Sequence, residues 1–516
     1  MAYVFLPLLG PLVLLGAAWF ASRQPGKRPG NIAGLTEVAA FAAFVASILA
    51  TTFLVINGPG TSALIGMFGI GLSVHLDAVS SVMLLLVNFI GWIVIRYSRT
   101  YMDGEDHQGA FAGWMSVTLA SVLLLVMSGN LVQFFVAWVA TSLALNKLLL
   151  FYPERATAQR AARKKAFVAR LSEATLALAF ALIVVATGTT DIKTILSVVE
   201  PNWLTMSAAF LIAVSAVLAS AQFPLHGWLT EVMEAPTPVS ALLHAGVINA
   251  GGLLLIRFAD VMLLAPGVMA LLVMLGGFTA LFGGLVMLTQ PAVKTSLAWS
   301  TIAQMGFMVM QCGLALFPLA LLHIVAHSLY KAHAFLSAGE AVRNVAAIRR
   351  PGPIAVPSAR NVLLSFVIAI AIYGLVGMVV GFDGKSVQAI ALGVILIFGV
   401  AYLLAQGFAD AAPRALMQRT VAYALVTSVS YFALQVIAQK LTAGTLPATP
   451  APGPLEWALI ILALISFGCV AVAQATFPLW ASHPAAAGPR VHLTNGLYAN
   501  AVFDKLLDGW SKRSIV

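Results

Sequence analysis

Charged residues are scarce in this chain, and their scarcity limits its class. Only 9% of the 516 residues are Asp, Glu, Lys or Arg, whereas 61% are hydrophobic and the mean hydropathy is +0.97. Soluble domains carry about 25% charged residues, so a water-soluble protein is excluded. A membrane span needs about 20 mostly apolar residues, and roughly fifteen such stretches lie between Ala2 and Leu479. We therefore expect an all-α polytopic membrane protein with about fifteen transmembrane helices.

Cysteine is equally rare. The two cysteines, Cys312 and Cys469, both lie in apolar stretches, which argues against a disulfide framework. The sequence also lacks a paired Cys/His metal spacing and a glycine-rich nucleotide loop in a convincing context. We therefore expect no cofactor in this chain and no catalysis by it, so that any cofactor would belong to another subunit.

The net charge of +10 has a topological cause. Of the 28 Lys and Arg residues, 21 lie on alternate connectors, whereas Lys193, Arg257, Lys385 and Lys440 lie near the opposite side. Cytoplasmic loops carry an excess of Lys and Arg, so this bias predicts an N-terminus outside and a C-terminus in the cytoplasm. We expect a multi-pass protein of the cell inner (plasma) membrane that contacts lipid and no nucleic acid.

Proline interrupts one apolar stretch, ASAQFPLHGWLTEVMEAPTPVSALLHAG, at Pro224, Pro236 and Pro238. Proline removes a helical hydrogen bond, and non-helical backbone at membrane depth must be buried in protein or line a wet cavity. The stretch is therefore a candidate ion path. A second interruption, VVGFDGKSVQ at 379–388, carries Asp383 and Lys385, and the pair of interruptions suggests two structural repeats.

Titratable residues within apolar stretches are the candidates for a proton path. In LALLHIVAHSLYKAHAFLSAG, His323, His327 and Lys331 recur every four residues and share one helix face. A cation at the centre of a membrane helix costs about 2.5 to 3.5 kcal/mol on insertion scales, so its retention favours a function. The alternative is a set of interhelical hydrogen bonds without proton exchange. The other candidates are Lys147, Arg170, Glu173, His226, Glu231, Glu234, His244, His333 and Lys385.

Several of these candidates have structural alternatives. Arg170 and Glu173 are three residues apart and can form an ion pair that anchors one helix. Lys147 can extend to the lipid headgroups, and Glu231 and Glu234 can be ordinary interfacial acids. The tail VHLTNGLYANAVFDKLLDGW predicts a short amphipathic helix that lies on the cytoplasmic face or against a partner, or packs back on its own bundle.

Three long motifs, SAQFPLHGWLTEVMEAPTPVSALLHAG, VKTSLAWSTIAQMGFM and HIVAHSLYKAHAFLSAG, resemble the proton-translocating antiporter-like family. That family includes large membrane subunits of respiratory complex I and of multisubunit cation/proton antiporters. The resemblance implies two inverted five-helix repeats, each with a broken helix, joined by a polar axis along the membrane midplane. The corresponding division is N-terminal helices in 1–110, a first repeat in 111–257, a second repeat in 258–410, and C-terminal helices with the tail in 411–516.

The same resemblance assigns roles residue by residue. His244 matches the family's histidine after PTPVSAL, and His323, His327 and Lys331 match its central helix. Arg170 and Glu173 match the arginine and acid after the KAFV motif, and Lys385 matches the lysine of the second broken helix.

Two positions depart from the family pattern. Val139 stands where the family has a glutamate, and Ala219 stands where it has a lysine. The acid and lysine of the first half-channel are therefore missing from their usual places. Either Glu173 with Lys147 or Glu234 replaces them, or the first half-channel uses a different route.

Within this group the chain looks most like the DabB family, the membrane subunits of two-component inorganic carbon pumps. The resemblance implies conduction of protons or Na⁺, whose downhill flow drives CO2 hydration to bicarbonate by DabA, a peripheral cytoplasmic partner similar to zinc β-carbonic anhydrases. Zinc is then expected in the partner. The alternatives are a proton-pumping subunit of a quinone oxidoreductase, a cation/proton antiporter, and a membrane anchor with an inactive channel.

Overall fold

A computed structural model describes residues 2–340, 358–382, 384–407, 414–476, 480 and 483–513. Twelve helices in these ranges are long and apolar enough to cross a membrane, which confirms the all-α polytopic class. The count of fifteen is not confirmed. Trp203–Ala219 and Val387–Tyr402 are apolar but shorter, and Val293–Gly313 carries Ser, Thr and Gln side chains that lower its hydropathy.

The helices follow one another with short connections. The first fifteen are α1 Leu9–Arg23, α2 Ile32–Asn57, α3 Ala78–Tyr101, α4 Gln108–Val126, α5 Leu131–Leu149, α6 Ala156–Thr187, α7 Ile192–Val198, α8 Trp203–Ala219, α9 Gly227–Glu231, α10 Thr237–Ala245, α11 Ala250–Arg257, α12 Ala259–Leu263, α13 Pro266–Met287, α14 Val293–Gly313 and α15 Phe317–Leu336. The last six are α16 Ala359–Val380, α17 Val387–Gly407, α18 Arg414–Thr442, α19 Pro454–Ala475, α20 Pro484–Thr494 and α21 Ala499–Arg513. Short 3₁₀ turns occupy Ala2–Leu8, Val232–Glu234, Val247–Asn249 and Gly496–Tyr498.

Four very short strands lie between α2 and α3: β1 Gly60–Thr61, β2 Ile65–Met67, β3 Ile70–Leu72 and β4 His75–Leu76. β1 pairs antiparallel with β4, and β2 pairs antiparallel with β3. The chain passes from β4 directly into Asp77, which caps the N-terminus of α3 by accepting from the Ser80 N–H at 2.7 Å. This connection fixes the position of Asp77.

The predicted break in the proline-containing stretch is confirmed. Helix α8 ends at Ala219, and only α9 and one 3₁₀ turn precede Thr237. Proline at the start of α10 is favourable because its missing N–H would lack a helical partner there. The second interruption is also non-helical, since α16 ends at Val380 and α17 begins at Val387.

The apolar part of the sixth span begins near residue 166 and predicts a start there, which is wrong. Helix α6 begins at Ala156, so the connector that carries Lys164 and Lys165 is helical rather than a loop. Its early turns bury Ala158, Ala161 and both lysines. The helix continues outward because no proline or glycine interrupts this alanine-rich segment.

The tail packs back on its own bundle, which confirms one of the open alternatives. Phe503 of α21 is buried, and its ring centroid lies 6.0 Å from that of Phe167 on α6. Asp383 lies outside the described residues, as do Arg343, Arg349 and Arg350. The division into four segments and the inverted relation of the repeats remain predictions.

Candidate ion-conduction site

The predicted stripe on α15 meets two neighbouring helices in the protein interior. Lys331 is fully buried and donates from Nζ to the Leu297 carbonyl oxygen of α14 at 2.9 Å. His327 is buried one turn earlier, and His244 is fully buried on α10. His244 lies close enough to interact electrostatically with both His327 and Lys331. Three residues that the sequence predicts as candidates therefore lie close together in the fold.

Hydrogen bonds define the state of His244. Its Nδ1 lies 3.0 Å from the Thr301 hydroxyl, which in turn donates to the Leu297 carbonyl at 3.0 Å. Because that hydroxyl has one hydrogen, the arrangement favours a proton on Nδ1 and leaves Nε2 as an acceptor. Among the described residues, neither His244 Nε2 nor His327 Nε2 has a hydrogen-bond partner.

A cavity of about 420 Å³ opens beside the stripe. His323 and His327 line it from α15, and Gln304 and Tyr431 line it from α14 and α18. The two histidine ring centroids are 6.0 Å apart. A cavity of this size, with several polar groups, has room for the water that connects titratable groups.

Lys385 approaches the same region from the second interruption. Its Nζ donates to Gln435 Oε1 on α18 at 3.1 Å and lies 4.7 Å from the Phe432 ring centroid. Gln435 follows Tyr431 by one helical turn, so α18 connects Lys385 with the cavity at His323.

A separate contact joins α15 with the bend between α10 and α11. Asn249 Nδ2 donates to the Ser328 hydroxyl at 2.8 Å, and both side chains are buried. Ser328 follows His327 directly. Asn249 Oδ1 has no partner within the described part of the chain, so this amide retains a free acceptor next to the histidines.

A second polar cluster lies on α5 and α6. Lys165 is buried, and its Nζ donates to the Ser142 carbonyl at 2.7 Å and to the Ser142 hydroxyl at 2.8 Å. Glu173 is also buried and lies within interaction range of Ser142 and Lys165. Arg170, which is half-exposed, contacts Glu173 Oε2 at 2.5 Å. The predicted ion pair between Arg170 and Glu173 is therefore present in the structure.

The structure places Lys165, and not Lys147, beside Glu173. Lys147 is exposed on α5, an arrangement that suits extension toward the headgroups. Ala219, where the resemblance expects a lysine, lines a small cavity of about 70 Å³ together with Lys165. An amine therefore enters this space from α6 instead of from α8.

The remaining candidates of the broken helix and of α15 lie in different environments. His226 is buried among aromatic rings, 4.9 Å from the Trp299 centroid, whereas His333 is exposed. Glu234 is exposed and lies 3.9 Å from Arg155 NH1. Glu231 forms an ion pair with Lys164 and accepts from Asn500 Nδ2 at 2.6 Å. The fold does not bring these four together with His244, His327 and Lys331.

The contact between α6, α9 and the tail, which we name the tail cluster, comprises Lys164, Glu231, Asn500 and Asp504. Lys164 is 1% exposed and binds both carboxylates, with 2.5 Å to Asp504 Oδ1. Its Nζ also donates to Asn500 Oδ1 at 2.8 Å. These contacts hold the tail helix against the broken helix.

A further buried ion pair lies at the other end of the bundle. Arg257 donates from NH1 and NH2 to the two Asp77 oxygens at 2.6 and 3.3 Å. His75 Nε2 lies 3.1 Å from Asp77 Oδ2. Burial alone would raise the pKa of Asp77, but Arg257 and His75 outweigh it and hold that pKa well below its usual range.

Sequence reasoning missed several of these residues. Lys164 and Lys165 belong to the basic residues that the charge bias counts on a connector, although Ala158, Ala161 and Lys165 recur at helical spacing and predict one buried face. Thr301, Asn249 and Gln435 are ordinary polar residues without a local pattern. No group of three or more His, Cys, Asp or Glu residues in the described ranges is arranged to hold a metal ion.

Comparisons with known proteins assign the chain to a family. Residues 128–378 match the model of the NADH:quinone oxidoreductase/Mrp antiporter transmembrane family, and residues 63–112 match the N-terminus of complex I chain 5. The chain is similar to the Mrp complex structure from Dietzia sp., with a TM-score of 0.63 and 23% identity over 99% of this chain and 60% of that one. This likeness shows an Mrp antiporter-like fold.

Two curated relatives are more similar in sequence. The probable inorganic carbon transporter subunit DabB2 of Halothiobacillus neapolitanus is 36% identical over 98% of this chain and 92% of its own length. The probable inorganic carbon transporter subunit DabB of Hydrogenovibrio crunogenus is 47% identical over 52% of this chain and 53% of its own. The chain therefore belongs to the DabB family of transporter subunits, within the antiporter-like group related to complex I and Mrp.

Proposed function

We propose that this protein is a proton-conducting membrane subunit that couples the ion-motive force to inorganic carbon accumulation. The central cluster of His244, His327 and Lys331 carries the proposal. In the residues that the structure describes, no carboxylate contacts Lys331, and one nitrogen of each histidine has no partner. Unsatisfied buried polar groups are rare and need an explanation, and proton exchange through water provides one.

The path that we propose runs along polar groups that lie between Lys385 and Glu173. Lys385 and Gln435 connect one side with the cavity at His323 and His327. Asn249 and Ser328 continue from His327 toward α5 and α6, where Glu173 and Arg170 lie. Protons pass between such groups through intervening water, because Lys331 and Lys385 donate to neutral oxygens and, among the described residues, form no ion pair with a carboxylate.

The available free energy is sufficient for this coupling. One elementary charge that crosses 100 mV releases about 2.3 kcal/mol, which biases a coupled equilibrium roughly 50-fold. Ion movement shifts the equilibrium of a coupled reaction only when the states of that reaction interact differently with the ion path. The proposed partner is a peripheral, zinc-containing, carbonic-anhydrase-like subunit that hydrates CO2 on the cytoplasmic side.

The names of the curated relatives and the charge bias of the connectors support this arrangement. The relatives are named as subunits of inorganic carbon transporters, so a partner subunit is expected. The 21 basic residues on alternate connectors favour an inner-membrane protein with its N-terminus outside and its tail in the cytoplasm. The tail then lies on the partner's side.

The test is uptake of labelled inorganic carbon by cells that carry this chain with its partner. We expect uptake to collapse with a protonophore and to be lost with His327→Ala or Lys331→Ala, while the partner still co-purifies with each variant. His333→Ala is the matched control, because His333 is exposed on the same helix and its loss should leave uptake unchanged.

Uptake that survives both the protonophore and Lys331→Ala would overturn the coupling role. Collapse with a sodium ionophore, and not with a protonophore, would assign Na⁺ as the conducted ion. Co-purification with flavin and iron-sulfur subunits, in place of a zinc protein, would favour a quinone oxidoreductase.

A further inference from the structure

We infer that Lys165, Ser142 and Glu173 form a proton-exchange site in the first half of the molecule, with Lys165 as its proton-releasing group. This inference rests on the proposed function and adds a residue and a transfer step to it. The three side chains come from two adjacent helices, α5 and α6, and no hydrogen bond or ion pair of the described residues joins them to the central cluster.

Geometry supports proton exchange at this site. The Ser142 hydroxyl accepts from Lys165 Nζ at 2.8 Å, so its own hydrogen is available to a different acceptor. Glu173 lies within interaction range of that hydroxyl, and its Oε1 is buried without a partner among the described residues. A buried carboxylate oxygen without a donor is a costly arrangement unless a proton or water reaches it.

The charged groups around Lys165 differ from those around a lysine in a structural ion pair. Lys165 has one carboxylate nearby and donates to neutral oxygens, whereas Arg170 makes the direct contact with Glu173. Arg170 stays charged at all accessible pH values. The mobile proton of the site therefore belongs to Lys165 or Glu173.

The cavity beside Lys165 extends from the site to the residues on either side of Asn249. It has a volume of about 70 Å³ and is lined mostly by apolar residues, among them Ile248 and Ala250, with Lys165, Thr141, Ser142 and Ser172 as polar members of the lining. A buried water needs about 10 to 15 Å³ of such space and polar partners, and both conditions are met beside Lys165 and Ser142. Ile248 and Ala250 flank Asn249, which bonds to Ser328 beside His327.

The transfer step is balanced. An N–H bond of the Lys165 ammonium breaks and its proton moves to the Ser142 oxygen, while the Ser142 O–H proton moves to the Glu173 carboxylate. The products are a neutral amine, an unchanged hydroxyl and a neutral carboxylic acid. Reprotonation of the amine through the cavity water and deprotonation of Glu173 complete one passage.

The experiment measures proton flux in liposomes that contain the chain with its partner. We expect Lys165→Met and Glu173→Gln to lower the flux to the level of Lys331→Ala. We expect Lys165→Arg to fold, because it keeps the charge and the donors to Ser142, and also to lack flux, because arginine does not release its proton. Lys147→Met is the matched control and should keep wild-type flux, since Lys147 is exposed on the facing helix.

Wild-type flux with Lys165→Arg would show that the lysine only supplies a fixed charge and would overturn the inference. Wild-type flux with Lys165→Met would also overturn it. If neither lysine variant folds, Glu173→Gln decides: wild-type flux would overturn the inference, and loss of flux would support it. Loss of flux with Lys331→Ala but not with these variants would leave the proposed function standing and refute only this site. Flux that survives Lys331→Ala as well would refute both.

Discussion

The buried cations Arg257 and Lys164 differ from Lys331 of the central cluster. Arg257 binds Asp77 with both guanidinium nitrogens, and Lys164 binds Glu231 and Asp504. Lys331 donates to a backbone carbonyl, and no carboxylate lies within ion-pair distance of it in the described ranges. Paired charges repay part of their desolvation cost, whereas an unpaired one does not.

This difference separates structural from functional charge. A cation held by carboxylates is stabilised in its charged form, so it joins helices and rarely exchanges its proton. A buried amine with only neutral partners lacks that stabilisation, so it can exchange its proton more easily. Lys165 lies between the two cases, because a single carboxylate is near it and an arginine already binds that carboxylate. Stability measurements can test this division independently of transport.

The largest effect is expected at Asp77. Asp77→Asn leaves Arg257 buried and unpaired, and loss of one partner of a buried ion pair costs about 3 to 5 kcal/mol. The thermal unfolding midpoint of the purified protein in detergent measures the change. Asp103→Asn is the control, since Asp103 forms an exposed pair with Arg28 and should have little effect.

The effect of Asp77→Asn should depend on pH in one direction. Because Arg257 and His75 depress the folded pKa of Asp77, the stabilisation is complete above the ordinary aspartate pKa of about 3.9. It declines as the pH falls below that value toward the folded pKa. The difference in midpoint between wild type and variant should therefore shrink below about pH 4. A difference that grows there would contradict the assignment.

The next effect distinguishes Lys164 from Lys331. Lys164→Met leaves Glu231 and Asp504 without their cation and should destabilise the protein by about 2 to 3 kcal/mol, less than at Asp77 because both carboxylates are partly exposed. Lys331→Met removes a buried cation without a counter-ion and should leave the unfolding midpoint unchanged or raise it. Equal losses for the two variants would remove the proposed distinction.

The sequence predicted those features that depend on local patterns. Apolar length predicted the spans, proline predicted the break after α8, and four-residue spacing predicted the face of α15 that carries His327 and Lys331. Each of these rests on residues that are neighbours along the chain, where periodicity is informative. The resemblance to known motifs added His244, which lies on a different helix from Lys331.

Contacts between distant segments were not predictable in the same way. Asp77 and Arg257 are 180 residues apart, and Lys164 and Asn500 are 336 residues apart. Neither pair produces a recognisable pattern over a short stretch of the sequence. Lys165 was missed for a different reason: basic residues on a short connector indicate topology, and this general rule concealed an alanine-rich buried face at Ala158, Ala161 and Lys165.

The smallest effect is expected at Glu234, where the sequence suggested a proton path and the structure places an exposed ion pair. Its carboxylate lies 3.9 Å from Arg155, and the two side chains are 44% and 50% exposed. Exposed pairs contribute about 0 to 1 kcal/mol and are screened by salt. Glu234→Gln should therefore shift the unfolding midpoint by no more than the replicate error and leave carbon uptake intact. Loss of uptake with an unchanged midpoint would return Glu234 to the proton path and would show that exchange also occurs at a water-exposed carboxylate.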